Sequence, residues 1–249
     1  MREIEFTILE NKPITDDICK MVLECSAGEH GITAPGQFIN IKIDGLFLRR
    51  PISICDWTET TVTVIYKVVG KGTELLKTYE PGRQLNALSA LGNGFAPARA
   101  GQRPLLIGGG VGVPPLYGLC RNLIEAGARP TVILGFNTEH EVFYKEEFEK
   151  LGAEVLVATA DGSMGQKGFV TDVLRNIKEP ATFFYTCGPE PMLKALDKAL
   201  AEGLEGEMSF EERMGCGFGA CMGCSCETRY GAKRICKDGP VLERSEILW

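Results

Sequence analysis

Five of the ten cysteines in this 249-residue chain, Cys216, Cys221, Cys224, Cys226 and Cys236, fall within 21 residues near its C-terminal end. Single cysteines scattered through a chain behave as small buried hydrophobes, but a cluster this dense needs a chemical reason. The spacing Cys216-x4-Cys221-x2-Cys224, followed by Cys236 after eleven intervening residues, is the plant-type arrangement of 2Fe–2S ligands. Gly-Phe-Gly-Ala and Met-Gly fill the gaps, and Gly215 and Gly223 flank them. Small residues let the backbone wrap a cluster closely and aim its N–H groups at sulfur. Four thiolates also suit zinc, although zinc sites usually show two CxxC-like pairs and only one is present. Cys226, two residues after Cys224, competes with Cys236 as fourth ligand; the spacing favours Cys236.

The other five cysteines, Cys19, Cys25, Cys55, Cys120 and Cys187, are dispersed. A disulfide knot would need an oxidising compartment. The opening Met-Arg-Glu-Ile-Glu-Phe reads as a strand rather than an export signal, so a cytoplasmic location is expected. At 44% hydrophobic and 24% charged, the composition is that of a globular protein rather than a disordered one. A net charge of −6 argues against a nucleic-acid partner. No apolar run reaches the ~18–20 residues that cross a bilayer, so no membrane insertion is expected.

The rhythm of the chain divides it in three. Ile4, Phe6 and Ile8 alternate with polar neighbours, as do Cys19, Met21 and Leu23, and Phe38–Ile43 and Thr61–Val69 continue the pattern. With turn signals between them, six or so strands predict a small antiparallel β-barrel over residues 1–99. From Leu105–Ile107 onward, short apolar strands alternate with helical stretches: Pro114 to about Ala126, Tyr144–Leu151, Val170–Ile177 and Pro191–Ala201. That alternation predicts a doubly wound parallel α/β domain over residues 100–206. A strand at Glu207–Phe210 leads into a small C-terminal iron–sulfur subdomain over residues 207–249. The expected class is a multidomain α+β protein.

Three further motifs carry chemistry. Gly108, Gly109, Gly110 and Gly112 precede Pro114 in a glycine-rich turn from strand to helix, which cradles a pyrophosphate with backbone N–H groups and the helix dipole. The strict G-x-G-x-x-G fingerprint fails, because Val113 stands where its third glycine belongs, and a plain tight turn is the competing reading. Cys187-Gly188-Pro189 ends a later strand, where ligands bind in parallel sheets, or is simply a turn with a buried thiol. On a barrel strand, Arg50 and Ser53 suit a phosphate or a flavin pyrophosphate, or else a solvated edge. Gly70–Thr73 is a turn or the backbone approach to a second phosphate. His30 and His140, the only histidines, are read as surface or loop residues.

Arg-x-x-Ser, Gly-Gly-Gly-Val-Gly-Val-Pro and Cys-Gly-Pro-x-x-Met in this order resemble the ferredoxin–NADP reductase superfamily. The tail Cys-Gly-Phe-Gly-Ala-Cys-Met-Gly-Cys-Ser-Cys narrows the resemblance to the electron-transfer subunits of class 1B dihydroorotate dehydrogenase, over essentially the whole chain. The resemblance implies FAD on the barrel, NAD(H) on the α/β domain and one 2Fe–2S cluster in the tail. It implies that Arg50, Pro51, Ile52 and Ser53 contact the flavin, that Ile65, Tyr66 and Lys67 line the next strand, and that Gly72 and Thr73 hold phosphate. It places Cys187 near the nicotinamide and makes Cys216, Cys221, Cys224 and Cys236 the cluster ligands. It implies a partner, an FMN-containing catalytic subunit of dihydroorotate dehydrogenase, in a heterotetramer serving pyrimidine biosynthesis.

Phe136-Asn137-Thr138-Glu139 offers no arginine for a 2′-phosphate and places Glu139 to repel one, which favours NAD over NADP. Two alternatives stand beside this reading. One is a subunit of a related oxidoreductase, such as a sulfide dehydrogenase or a ferredoxin:NAD(P) transhydrogenase, where an acidic residue is expected among the cluster ligands. The other is a non-enzymatic, zinc-bearing module that senses nucleotide. With some 100 residues in a barrel, 105 in a nucleotide domain and 40 in a tail, by ordinary domain sizes, nothing is left for an organic substrate. The chain reads as a conduit.

Overall fold

The computed structural model describes residues 1–177 and 179–249. Strands β1 (Arg2–Pro13), β2 (Ile18–Glu24), β3 (Phe38–Ile41), β4 (Arg50–Trp57), β5 (Thr61–Lys67) and β6 (Gln84–Leu91) close a barrel in the order β1-β2-β5-β4-β3-β6. All six barrel pairings are antiparallel. The alternation of β1 drives this closure, since Ile4, Phe6 and Ile8 all point inward with Met21, Ile39, Val64 and Leu85. Each such side chain contributes roughly 1.5–3 kcal/mol when fully buried.

A helix that the residue pattern does not announce, α1 (Lys71–Lys77), follows β5. Its last turn is held from a distance. Asn11 Nδ2 donates to the carbonyls of Leu76 (2.9 Å) and Tyr79 (2.8 Å), and Tyr66 Oη donates to Asn11 Oδ1 at 2.8 Å.

The second half is built from β7 (Pro104–Gly109), α2 (Pro114–Glu125), β8 (Thr131–Phe136), α3 (Lys145–Leu151), β9 (Glu154–Thr159), β10 (Gln166–Lys167), α4 (Val170–Leu174), β11 (Phe183–Cys187), α5 (Glu190–Ala199) and β12 (Gly206–Ser209). Helix α4 stops short of the expected Ile177, because Asn176 N and Ile177 N bond back only three residues, to Val173 and Leu174. The tail adds a hairpin, β13 (Ser225–Thr228) and β14 (Gly231–Arg234), and a strand β15 (Val241–Glu243).

The large sheet runs β10-β9-β8-β7-β11-β12-β15, parallel except for β15. Strands after β7 wind outward on one side and β11 and β12 on the other. The order therefore reverses between β7 and β11, where ligands bind in open parallel sheets. Strand β15 returns the tail to this sheet, so the cysteine loop lies between two of its strands in sequence.

The three parts share cores. Ile18, Cys55, Ile65 and Phe95 of the barrel half pack with Leu106, Val113 and Leu116 of the sheet and α2. Gly118 makes that approach possible, since a Cβ there would lie 2.9 Å from the Cys55 carbonyl oxygen. Arg121 seals the edge, 2.8 Å from Asp56 and donating to the Trp57 carbonyl. At the other end Ala96 N donates to Glu207 Oε2 at 2.9 Å. Burial holds the Glu207 carboxyl above its ordinary range, against that N–H and the Arg99 guanidinium. Among the described residues no helix is long and apolar enough to cross a membrane.

Candidate functional site

Strand β7 is buried along its whole length and breaks into a single 3-10 turn, Gly110–Gly112, before α2. Pro114 and Pro115 open α2, where a missing N–H costs nothing. This turn interlocks with the one that follows β11. A Cβ on Gly112 would lie 2.2 Å from the Cys187 carbonyl oxygen, and one on Gly109 would lie 2.5 Å from Met192 Sδ. A Cβ on Gly188 would meet Met192 Cε at 2.4 Å. At Gly112, where the obstacle is backbone, only glycine allows the two loops to meet in this way, and between them opens a cavity of about 650 Å³. The cavity is lined by Gly109–Gly112, Gly188, Pro189, Met192, Phe136 and Asn137, with Lys67 entering from the barrel.

The backbone cradle fits a dinucleotide pyrophosphate. Cys187 is buried beneath it, and desolvation pushes its thiol up to about 12, with Glu211 adding to the effect. At the far end the acid that faces the cavity is Glu141. It accepts from Asn137 N at 3.1 Å and from Asn137 Nδ2 at 2.9 Å. Glu139, the acid expected to repel a 2′-phosphate, does not line the cavity, and its N–H donates to Ser163 Oγ at 2.7 Å. The signal for Glu141 was present in the sequence only as one more acid in the same short turn. A larger hollow, about 1240 Å³, lies across the opposite edge of the sheet, where Pro104 and Glu154 begin their strands.

On the barrel, Arg50 starts β4 and lays its guanidinium across the first turn of α1. A Cβ on Gly72 would lie 2.3 Å from Arg50 Nε. Thr73 is committed locally, its hydroxyl accepting from Val69 N at 2.9 Å and donating to the Gly70 carbonyl at 3.1 Å. Pro51, Ile52 and Ser53 are half-buried along β4. Ile65 and Tyr66 are buried, the Tyr66 ring within the barrel, so each offers an incoming group its backbone rather than its side chain. Lys67 pairs with Asp17 at 3.0 Å. The barrel strands and the nucleotide cavity therefore meet at Lys67.

The tail cysteines fall into two pairs. Cys216 and Cys221 exchange contacts, with Cys216 N donating to Cys221 Sγ and Cys221 N to Cys216 Sγ, both at 3.4 Å. Ala220 N adds a bond to Cys216 Sγ at 3.2 Å, and Gly223 N one to Cys221 Sγ at 3.5 Å. Cys224 and Cys236 form the inner, buried pair, with Cys236 N donating to Cys224 Sγ at 3.4 Å. Gly217, Gly219 and even Met222 hold positive φ to turn these N–H groups inward.

Desolvation would raise the Cys216 thiol, but the N–H groups of Phe218, Cys221 and Ala220 and the Cys221 thiol together pull it down to about 6. The inner Cys236 is pushed up to about 12 by burial and by its neighbour Cys224. Among the described residues no three His, Cys, Asp or Glu side chains meet as ligands of one ion. Two pairs of thiols with N–H donors to sulfur fit a two-iron cluster, whose irons are each held by two cysteines. Cys226 stands elsewhere, on β13 opposite Lys233 of β14, lining a cavity of about 390 Å³ with Phe210, Glu227 and Trp249.

The profile of the iron–sulfur cluster binding domain of dihydroorotate dehydrogenase B matches residues 211–248, and that of the oxidoreductase NAD-binding domain matches residues 106–198. A Geobacillus protein named as the electron transfer subunit of dihydroorotate dehydrogenase B (NAD(+)) is 44% identical over 260 residues, covering 100% of this chain and 99% of its own. This chain belongs to that family of electron transfer subunits. A Fusobacterium nucleatum member is 43% identical and covers 99% of each chain.

Among solved structures, an NADH-dependent reduced ferredoxin-NADP oxidoreductase aligns with a TM-score of 0.88 and 29% identity, over 98% of this chain and 90% of that one. A cytochrome P450 reductase from Amycolatopsis, at 21% identity and a TM-score of 0.71 over 80% of this chain and 65% of that one, shares the fold. The chain thus joins an iron–sulfur-binding domain and an NAD-binding oxidoreductase domain to the flavin-binding barrel of the ferredoxin reductase fold, as the resemblance implied.

Proposed function

We propose that this chain relays electrons between NAD(H) and a separate FMN-containing catalytic subunit that oxidises dihydroorotate to orotate, with two copies of each chain in the assembly. One observation supports this reading above the others: Phe38 and Leu91 of the barrel, Leu105 and Ile107 of the nucleotide sheet, and Cys224 and Cys236 of the tail pack in one continuous core. The three sites therefore sit on one rigid frame, as a relay requires. Bound FAD and a 2Fe–2S cluster supply the exchange between hydride and single-electron chemistry.

The residues divide the work of holding these groups. Arg50 is the fixed charge for the flavin pyrophosphate, with Pro51, Ile52 and Ser53 along β4, the backbone of Ile65 and Tyr66 along β5, and the amides of Gly72 and Thr73 at α1. Gly108, Gly109, Gly110 and Gly112 with Pro114 receive the nucleotide pyrophosphate against Gly188 and Pro189. Lys67 reaches the same cavity from the flavin side. Cys187, buried under the cradle, would lie near the nicotinamide as a neutral thiol at pH 7, because burial keeps it protonated. Glu141, holding Asn137, repels a 2′-phosphate and so selects NAD over NADP. Cys216 and Cys221 from the exposed side of the loop, and Cys224 and Cys236 from its buried side, would hold the 2Fe–2S cluster.

The test is co-expression with the catalytic subunit, purification of the complex and assay of dihydroorotate-dependent NAD reduction. Reduction that is far slower with NADP, in a complex carrying FMN, FAD and iron, is the expected outcome. A fully loaded complex with no dihydroorotate-dependent NAD reduction would overturn the proposal.

A further inference from the structure

Asn40 stands in the middle of β3 with 1% of its surface exposed, opposite Pro51 of β4. Its side chain is turned toward the cysteine loop. Nδ2 donates to the Cys216 carbonyl at 3.5 Å, and a Cβ on Gly217 would lie 2.2 Å from that same nitrogen. Flipping the amide would set Oδ1 against the Cys216 carbonyl, two acceptors face to face, so the contact fixes the orientation. The consequence is that Asn40 Oδ1 is buried with no hydrogen-bond partner among the described residues. An unpaired buried acceptor weakens a fold, and leucine, with the same branching and the same number of side-chain heavy atoms, would remove it.

A second asparagine makes the same kind of reach. Asn93, just after β6, donates from Nδ2 to the Val241 carbonyl (2.7 Å), accepts from Val241 N (3.1 Å) and donates its own N–H to the Gly239 carbonyl (2.7 Å). Asn93 anchors the segment after Cys236, and Asn40 anchors the segment that begins at Cys216. On its outer side the loop is held separately, by Arg234 Nη1 on the Gly219 carbonyl at 2.9 Å, with Asp238 gripping the same guanidinium.

We propose that Asn40 is a positioning residue: it ties the outer cysteine pair to the barrel strand beside β4 and so sets the separation between flavin and cluster. The inference rests on reading the tail as a cluster site. It predicts a division between steps. Loss of the tie slows electron passage from flavin to cluster and leaves the nicotinamide-to-flavin step, at the cavity that Lys67 enters, as it was.

The experiment compares the wild-type chain with Asn40→Leu and with Asn40→Asp, which keeps the side-chain shape but sets a carboxylate oxygen against the Cys216 carbonyl. Amide exchange of residues 215–221 is measured in the metal-free chain. Both variants should exchange there at least about tenfold faster, as loss of a tertiary tie to a surface loop requires, with exchange in β7 and β8 unchanged. In loaded protein, stopped-flow mixing with NADH should show flavin bleaching at the wild-type rate. Cluster reduction should be severalfold slower, because electron passage between two fixed centres falls off exponentially with their separation. Iron content is measured in parallel and tests the cluster reading alone. Unchanged exchange in the metal-free variants, or equal slowing of both steps, would overturn the role of Asn40 even if every chain carries iron.

Discussion

Cys120 lies on α2 with no exposed surface, and burial alone pushes its thiol up to about 12, whereas the Cys216 thiol, eight elements further along the chain, is drawn down to about 6. The residue type is the same and the backbone is what differs. Around Cys120 the amides are spent on the helix, so sulfur finds only Leu116, Leu119 and other apolar neighbours. Around Cys216 the chain is a loop turned by Gly217, Gly219 and Met222 at positive φ, which frees the N–H groups of Cys216, Ala220, Cys221 and Gly223 to point at sulfur. A helix thus makes a cysteine a packing group, and a loop of inward amides makes it a ligand for something that prefers thiolate.

The strongest way to break this comparison is to exchange members of the tail. Cys236→Ser should abolish iron binding, while Cys226→Ser should keep it near the wild-type level, read by metal analysis of purified protein. The reverse pattern would move the fourth ligand to Cys226. Next in size is thiol reactivity in the metal-free chain. With thiols near 6 and 12, iodoacetamide at pH 7 should modify Cys216 at least about a thousandfold faster than Cys120, by peptide mass mapping. Comparable rates at the two sites would contradict the contrast.

The barrel and the sheet were legible because their signals are local. Alternation through Ile4, Phe6 and Ile8 is visible within one strand, and the glycines after Ile107 announce a strand-to-helix turn without help from elsewhere. The four-cysteine spacing is local as well. What the sequence did not disclose depends on partners far along the chain. Helix α1 is short and begins with Lys71-Gly72, and it is secured by Asn11, more than sixty residues earlier. Asn40 and Asn93 reach the tail across 176 and 148 residues. Strand β15 joins the sheet only because β12 leaves an edge open to it. Glu141 replaced Glu139 at the cavity because a single 3-10 turn, Glu139–Glu141, decides which acid faces inward.

Smaller effects sharpen the same contrast. Cys120→Ser should leave iron content untouched while lowering stability by about 1–3 kcal/mol, since a hydroxyl enters an apolar site without a partner; thermal unfolding checks this. The smallest effect concerns Glu207. Its folded carboxyl titrates above its unfolded value, so its contribution to stability is fully present below about pH 4.5 and is lost as pH rises through the folded value. Glu207→Gln keeps an acceptor for Ala96 N and does not titrate. The melting temperature of that variant minus that of the wild type should therefore increase between pH 4 and pH 7. A difference that shrinks over this range would show that Arg99 outweighs burial at that site.

The central claim is that the paired thiols of the tail hold a two-iron cluster within reach of a flavin barrel. The most direct test is analysis of iron, acid-labile sulfide, zinc and flavin in the intact chain purified under anaerobic conditions. The account predicts about two irons and two sulfides per chain, together with FAD. One zinc per chain, with neither iron nor sulfide, would contradict it.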